Sequence, residues 1–422
     1  MAFQQGLSGL QAASSQLDTI GNNVANANTV GFKESTTQFS DVYAASVGGV
    51  SSLQTGIGTQ VTGNFQDFSQ GSITTSNNSL DMAINGQGFF RMDQNGSISY
   101  SRDGQFQLDQ NGYLTNAEGL QLTGYEANAN GTIITSSPVP LQIPTANLNP
   151  SATTTGTVGV NLDSNSTVPT TTTFNPTDPT SYNYSTSMTV YDSLGNSHVA
   201  TMYFSLASAV PAAATTAGAT TAWNTYLTVD GNSVPAANTP IGTLGFNTSG
   251  ALVYPTGSPA GVISTSVPLT NGAATPQAIT LNFGTTTQYG SANGVNQLNP
   301  NGYASGQLSG FSTSSTGVIQ GRYSNGQSKN LGQIALANFS APEALQSIGN
   351  NQWVETSASG SALVGAPNTG NLGVIQAGAT ESSNVDLTTQ LVDMITAQRN
   401  YQANAQTIHT EDQIQQTLIN LR

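Results

Sequence analysis

Two stretches at opposite ends of the chain carry a helical spacing of apolar positions. In the first, Phe3, Leu7, Leu10, Ser14, Leu17, Gly21 and Val24 follow one another at alternating steps of four and three. In the second, Leu387, Leu391, Met394, Gln398, Tyr401, Ala405 and Ile408 do the same, and after His409 a shifted seam resumes at Ile414, Leu418 and Leu421. This C-terminal stretch, residues 386–421, has neither Gly nor Pro and opens on Asp386, a candidate N-cap. At ~1.5 Å per residue it predicts a helix about 54 Å long, more than a small domain can cover. A helix with a half-polar seam is marginal alone in water. The spacing therefore predicts that the two ends pair as a coiled coil and then with neighbouring copies. By itself it equally allows two amphipathic helices that close one globular fold.

Between the ends the period changes. From 34 to 70 the apolar positions thin out to Phe39, Val42, Tyr43, Val61, Phe65 and Phe68, which reads as a connector packed on the helices. From 71 to 124, Leu80, Met82 and Ile84 alternate with polar or small residues, and Asn85-Gly86, Asn95-Gly96, Asp103-Gly104 and Asn111-Gly112 are hairpin turn signals. The Asp-Gln-Asn-Gly runs at 93 and 109 lack the ligand spacing of a calcium loop. Gly86-Gln87-Gly88 lacks the third Gly and the helix of a dinucleotide loop. Pro138, Pro140, Pro144 and Pro150 punctuate the chain before a second β region. There Met202, Phe204 and Leu206 point one way and Thr201, Tyr203 and Ser205 the other, behind a turn at 192–196. Ile279, Leu281 and Phe283 predict another half-buried strand, and the Ala- and Thr-rich run 207–222 reads as an exposed loop. Hairpins return at 318–339 around Asn325-Gly326, and Pro342 opens a short helical turn.

Asn22, Asn23, Asn26 and Asn28 close the N-terminal helix. Such a cluster either fixes register through side-chain hydrogen bonds or marks a fraying end, and the end is the simpler reading.

Composition narrows the function. Charged residues are 7% of the 422 and hydrophobic residues 36%, whereas an ordinary soluble domain is roughly 25% charged. Gly, Ser, Thr, Asn and Ala fill the difference, which suits strands and polar surfaces that touch without strong charge. The formal net charge is −14, and the seven Lys and Arg form no basic stripe for nucleic acid. No run of about 18 apolar residues predicts a membrane span. The first residues lack the basic and apolar regions of a cleavable signal peptide. There is no Cys, so no disulfide. With only His198 and His409, and Asp192 the only acid in its turn, no catalytic, cofactor-binding or metal-binding residue is assigned. Surface or packing roles are expected for both histidines.

Two long motifs bring in a family. SGLQAASSQLDTIGNNVANANTVGFK (8–33), with Asn22, Asn23, Asn26, Gly31 and Phe32, resembles the N-terminal signature of the bacterial flagellar rod, hook and hook-associated proteins. SNVDLTTQLVDMITAQRNYQANAQTI (383–408) resembles the C-terminal signature of the same axial family. Residues 86–125 are similar to the β domain shared by hook and distal rod proteins, and 184–204 and 317–339 to hook proteins in particular. The resemblance implies mainly β outer domains in a nested, discontinuous arrangement, with the terminal helices paired as a coiled coil.

The expected division is 1–30 with 384–422 as helical core and 31–70 with 360–383 as connector. The first β domain is expected at 71–145 with 285–359, and the outer β domain at 146–284. The resemblance implies a subunit of the flagellar hook, a curved helical tube that acts as a universal joint between rod and filament. A distal rod subunit and a β-rich surface adhesin are the competing readings. Partners implied are further copies of the chain, the distal rod protein, the hook cap, the hook–filament junction proteins and the flagellar type III export apparatus. The location implied is extracellular, reached without a cleaved signal peptide. Phe3 and Leu7 resemble the family's export motif, although both are also seam positions.

Overall fold

The computed structural model describes residues 2–42, 56–144, 146–236, 238–257 and 260–420. Among them are three α-helices: α1 (Ala2–Ala25), α2 (Ala212–Thr216) and α3 (Leu387–Asn420). The chain divides into two compact units, one formed by Met1–Thr145, Ser309–Arg322 and Ser328–Arg422 and the other by Ala146–Leu308 and Tyr323–Gln327.

In the first unit α1 and α3 run antiparallel. A Cβ on Gly6 would lie 3.1 Å from Ile408 Cγ1, and one on Gly9 2.7 Å from Asn404 Oδ1. At the other end of the contact Asn23 meets Gln390. The face of α1 in this contact is thus one residue out of step with the large apolar residues. Its buried positions are Gly6, Ala12, Ala13, Thr19, Ile20 and Asn23, while Leu10, Leu17 and Val24 are half-buried and Phe3 and Leu7 exposed. On α3 the buried positions are Gln390 and Ala397, with Met394, Asn404 and Ile408 half-buried. Small residues let two helix backbones approach closely, so the pairing within one chain uses them and turns the leucines aside.

The connector is an antiparallel hairpin, Ser35–Val42 against Gly58–Gln66, with a bulge between Gln38 and Phe39. It packs on α1: Thr37 Oγ1 donates to Thr19 Oγ1 at 2.8 Å and Thr59 N donates to Ser8 Oγ at 3.3 Å. Beyond it lies a sheet whose central order is Val318–Tyr323, Ser328–Ile334, Gln121–Glu126, Phe89–Gln94, Ser97–Ser101 and Gln352–Val354. Phe68, Phe89, Tyr100, Phe339 and Trp353 pack edge to face on it, with centroids 4.7–5.9 Å apart.

Of the predicted hairpin turns in this region, Asn95-Gly96 forms as expected, whereas Asn85-Gly86 and Asp103-Gly104 do not. Asn95-Gly96 closes a tight hairpin with both residues at positive φ, 54° and 90°. Asn85-Gly86 does not, because Met82–Asn85 pairs with Val374–Ala377 from the far end of the chain. Met82, Ala83 and Ile84 are accordingly all buried rather than alternating. Gly104 sits against this strand, its carbonyl accepting from Met82 N at 2.9 Å, so Asp103-Gly104 is not a hairpin turn either.

The second unit is a β-sandwich. One sheet orders Tyr184–Tyr191, Ser197–Leu206, Thr221–Val229, Gly242–Phe246 and Leu252–Tyr254, and the other Val262–Val267, Gln277–Asn282, Thr155–Asn161 and Gly294–Pro300. Met202, Phe204, Trp223 and Phe246 from the first sheet meet Val158, Val160, Ile279 and Leu281 from the second in one buried cluster. Because Gly294–Pro300 pairs with Thr155–Asn161, residues 285–308 belong to this unit and not to the first β domain assigned from sequence. The run 207–222 is not simply a loop: it contains α2, with Ala214 fully buried, and its end enters the Thr221–Val229 strand. Asn325-Gly326 does form a turn, between Val318–Tyr323 and Ser328–Ile334.

Candidate functional site: the junction of the two chain ends

Asn23 is the hinge pin of the junction. Its Nδ2 donates to Ser35 O at 2.8 Å and to Gln390 Oε1 at 3.1 Å, and its Oδ1 accepts from Ser35 N at 3.0 Å. Gln390 in turn donates to Glu34 Oε1 at 2.8 Å. Asn23 therefore does more than close the helix: it fixes α1, the connector and α3 in one register. Asn26 carries the helix end, its Nδ2 donating to Asn22 O at 3.0 Å and its Oδ1 accepting from Thr29 Oγ1 at 3.2 Å. Gly31, at φ 71°, brings its Cα so near the backbone of Asp103 that a Cβ would lie 2.6 Å from Asp103 N. Phe32 follows half-buried. Asp386 caps α3, its Oδ1 accepting from Thr388 N at 2.8 Å and Thr389 N at 3.2 Å.

The same unit holds a buried charge cluster that the sequence reading missed. Glu381 Oε1 accepts from Lys33 Nζ at 2.7 Å and from Gly71 N at 2.9 Å, while Glu381 Oε2 accepts from Arg102 Nη1 at 3.0 Å. Lys33 also donates to Ser69 O at 2.7 Å and Arg102 Nη2 to Gly86 O at 2.9 Å. Burial pushes the Lys33 ammonium below its ordinary value, with Glu381 opposing and Arg102 adding to the fall. Burial likewise lowers Arg102 against the attraction of Glu381. Two cations share one carboxylate, and the segments they hold come from both ends of the chain. The only sequence signal was the scarcity of basic residues, two of the seven being committed here.

Of the expected seam residues, Ile408 packs against Gly6, and Leu10, Leu17, Val24 and Met394 are half-buried, while the other described ones are left uncovered. Phe3 (44%), Leu7 (42%), Leu387 (46%), Leu391 (46%) and Ile414 (49%) are exposed, with Tyr401 at 37%. Val392 and Ile395, which the spacing did not single out, are exposed beside them at 58% and 51%. Leu421, the side chain of Leu418 and the connector's Tyr43 lie outside the described residues.

In the second unit, His198 is neither a plain surface group nor a packing one. It stands between Asp192 and Asp230, a pair of carboxylates that the sequence, showing one acid per turn, did not bring together. His409 is exposed on α3.

Four family models match the chain. They are a flagella basal body rod protein family over residues 3–33, the flagellar hook protein FlgE/F/G D1 domain over 83–160, the flagellar basal body protein FlaE D2 domain over 161–303, and the flagellar basal body rod FlgEFG C-terminal family over 376–421. The chain is 43% identical to the flagellar hook protein FlgE of Salmonella typhimurium over 429 aligned positions, covering 100% of both chains. To the flagellar hook protein FlgE of Escherichia coli it is 44% identical, again over 100% of both. A crystal structure of a flagellar hook protein from Helicobacter pylori shares the fold at a TM-score of 0.52 and 14% identity, covering 73% of this chain and 100% of that one.

Proposed function

The chain belongs to the flagellar hook protein family and is a structural subunit of the bacterial flagellar hook, and we propose that it polymerises through the apolar faces that α1 and α3 leave uncovered. The observation that carries this reading is the exposure of Leu387, Leu391, Val392 and Ile395 on α3, with Phe3 and Leu7 on α1. Four large apolar residues within nine positions of one helix mark a surface meant to be covered. Small residues hold the two helices of one chain together, with Ile408 packed on Gly6, which leaves Phe3, Leu7, Leu10, Leu17 and Val24 to meet Leu387, Leu391, Met394, Tyr401 and Ile414 of neighbouring copies.

Such a contact is heterologous and does not close on itself, so repetition builds a helical tube. The sparsely charged β units would then meet through weak, wet contacts that shift as a curved tube turns, the property a universal joint between rod and filament requires. By family resemblance the ends of the tube meet the distal rod protein, the hook cap and the hook–filament junction proteins. The subunit leaves the cell through the flagellar type III apparatus, with Phe3 and Leu7 as its candidate export motif. A distal rod role is disfavoured by the match to hook proteins along the entire chain, and a surface adhesin would have no use for paired terminal helices.

Antibodies to residues 146–283, located by immunogold electron microscopy, test the placement. Label confined to a short curved segment at the filament base is expected; label spread over the cell surface would move the function toward adhesion. Leu391→Asp, which adds a charge to the uncovered face without touching the α1 contact, should leave the subunit folded and abolish tubes.

A further inference from the structure

One end of the β-sandwich is closed by a charge arrangement outside any contact the hook role invokes. His198 is the second residue of the Ser197–Leu206 strand. Its Nδ1 lies 2.6 Å from Asp230 Oδ2 and its Nε2 3.3 Å from Asp192 Oδ2. A carboxylate can only accept, so a ring nitrogen at hydrogen-bond distance from one must carry a proton. With a carboxylate on each side, both nitrogens must donate, and that describes the imidazolium.

The two carboxylates are themselves fixed. Asp192 is fully buried and also accepts from Leu194 N (2.8 Å), Asn196 N (2.9 Å), Asn196 Nδ2 (2.9 Å) and Asn271 Nδ2 (2.6 Å). Asp230, at φ 48°, accepts from Val199 N at 2.9 Å. Asn271 belongs to the turn between Val262–Val267 and Gln277–Asn282, in the opposite sheet. The neighbouring Ala274 N donates to Ser193 Oγ at 2.8 Å. The charged groups facing the ring are thus Asp192, from the turn before its own strand, and Asp230, from the turn after Thr221–Val229. The opposite sheet contributes the neutral Asn271 amide.

We propose that His198 is a pH-dependent clasp that holds Asp192, on which the Asn271 turn of the opposite sheet is anchored, while its imidazole is doubly protonated, and that the turn loosens when the proton leaves. Loss of the proton from Nε2 turns a lone pair toward Asp192, which is then a buried anion with no cation beside it. The amides of Asn196 and Asn271 still hydrogen-bond it but do not neutralise it. Burial alone would lower the His198 value; hydrogen bonds to Asp230 and then Asp192 outweigh burial and hold it above the ordinary imidazole range. The sign follows: the clasp's contribution is fully present below the ordinary value of about 6.5 and is lost as pH rises through the raised one.

The full chain labelled with 13C-histidine gives two imidazole signals, and His198→Gln identifies which one is His198. The wild-type His198 signal should titrate with a midpoint above about 6.5. A midpoint at or below that value overturns the proposal, whether or not the variant folds. Amide exchange at Ala273 and Ala274, whose N–H groups donate to Asn271 Oδ1 and Ser193 Oγ, should quicken in the wild type as pH passes this midpoint, beyond the rise set by intrinsic exchange chemistry. If the clasp exists, Asp230→Asn, which can keep the bond from Val199, moves the midpoint downward. Exchange at Ala273 and Ala274 that is indifferent to the protonation of His198 would also refute it.

Discussion

Asn23 donates to Gln390 at 3.1 Å across 367 positions of sequence, and with the same side chain both donates to and accepts from the backbone of Ser35. One amide thereby sets the register of two helices and a strand. Replacing it by Ala leaves the N–H and C=O of the half-buried Ser35 without these partners, a loss at or below the low end of the roughly 1–3 kcal/mol that a fully buried abandoned group costs. Asn23→Ala should lower the unfolding midpoint of the first unit in urea while the second unit's transition stays where it was.

Gly9 and Gly21 lie on the same helix with opposite surroundings. A Cβ on Gly9 would meet the Asn404 side chain at 2.7–2.8 Å, whereas one on Gly21 would meet nothing within 4 Å. Gly9→Leu should force α1 and α3 apart, costing about 1–3 kcal/mol. Gly21→Ala should raise helix stability by up to ~1 kcal/mol. Circular dichroism melts of the two variants compare them directly. If Gly21→Ala stabilises the free subunit yet sediments as less polymer, Gly21 belongs to the contact between copies.

Removing the members of the buried charge cluster should have unequal effects. Glu381→Gln leaves Lys33 and Arg102 buried without a counter-charge, at a cost of about 3–5 kcal/mol. Lys33→Met leaves Arg102 and Glu381 balanced, so its cost should be smaller. Denaturant titrations of both variants decide the matter, and a larger loss for Lys33→Met would contradict the charge account.

The strongest periodicities were legible, and so was their limit. The four–three spacing located both terminal helices, and Asp386 fell where α3 is capped. The spacing of large apolar residues could not say that the chain pairs its own helices through Gly6 and Gly9 instead. Bulk dominates a periodicity, whereas close backbone approach depends on its absence. Alternation found Met202 and Phe204, because that strand has neighbours nearby in sequence on both sides. It failed at Met82–Asn85, whose partner arrives nearly three hundred residues later and buries both faces. The domain return was placed too early for the same reason: Gly294–Pro300 pairs with a strand about 140 residues before it, and its own residues carry little hydrophobic pattern. Lys33, Arg102 and Glu381 gave no local sign of each other, since charge pairing across the fold leaves no period in the sequence.

Hydrogen exchange measured on the free subunit and on the assembled tube tests the central claim most directly, since exchange reads how often each backbone hydrogen bond opens. If the uncovered faces of α1 and α3 are satisfied by neighbouring copies, amides from Leu387 to Ile408 should exchange readily in the subunit and become strongly protected on polymerisation. The Thr221–Val229 strand, already central in its sheet, should change little. Strong protection of Leu387 to Ile408 in the free subunit, unchanged in the tube, would mean that the terminal helices are complete by themselves and that assembly rests on other surfaces.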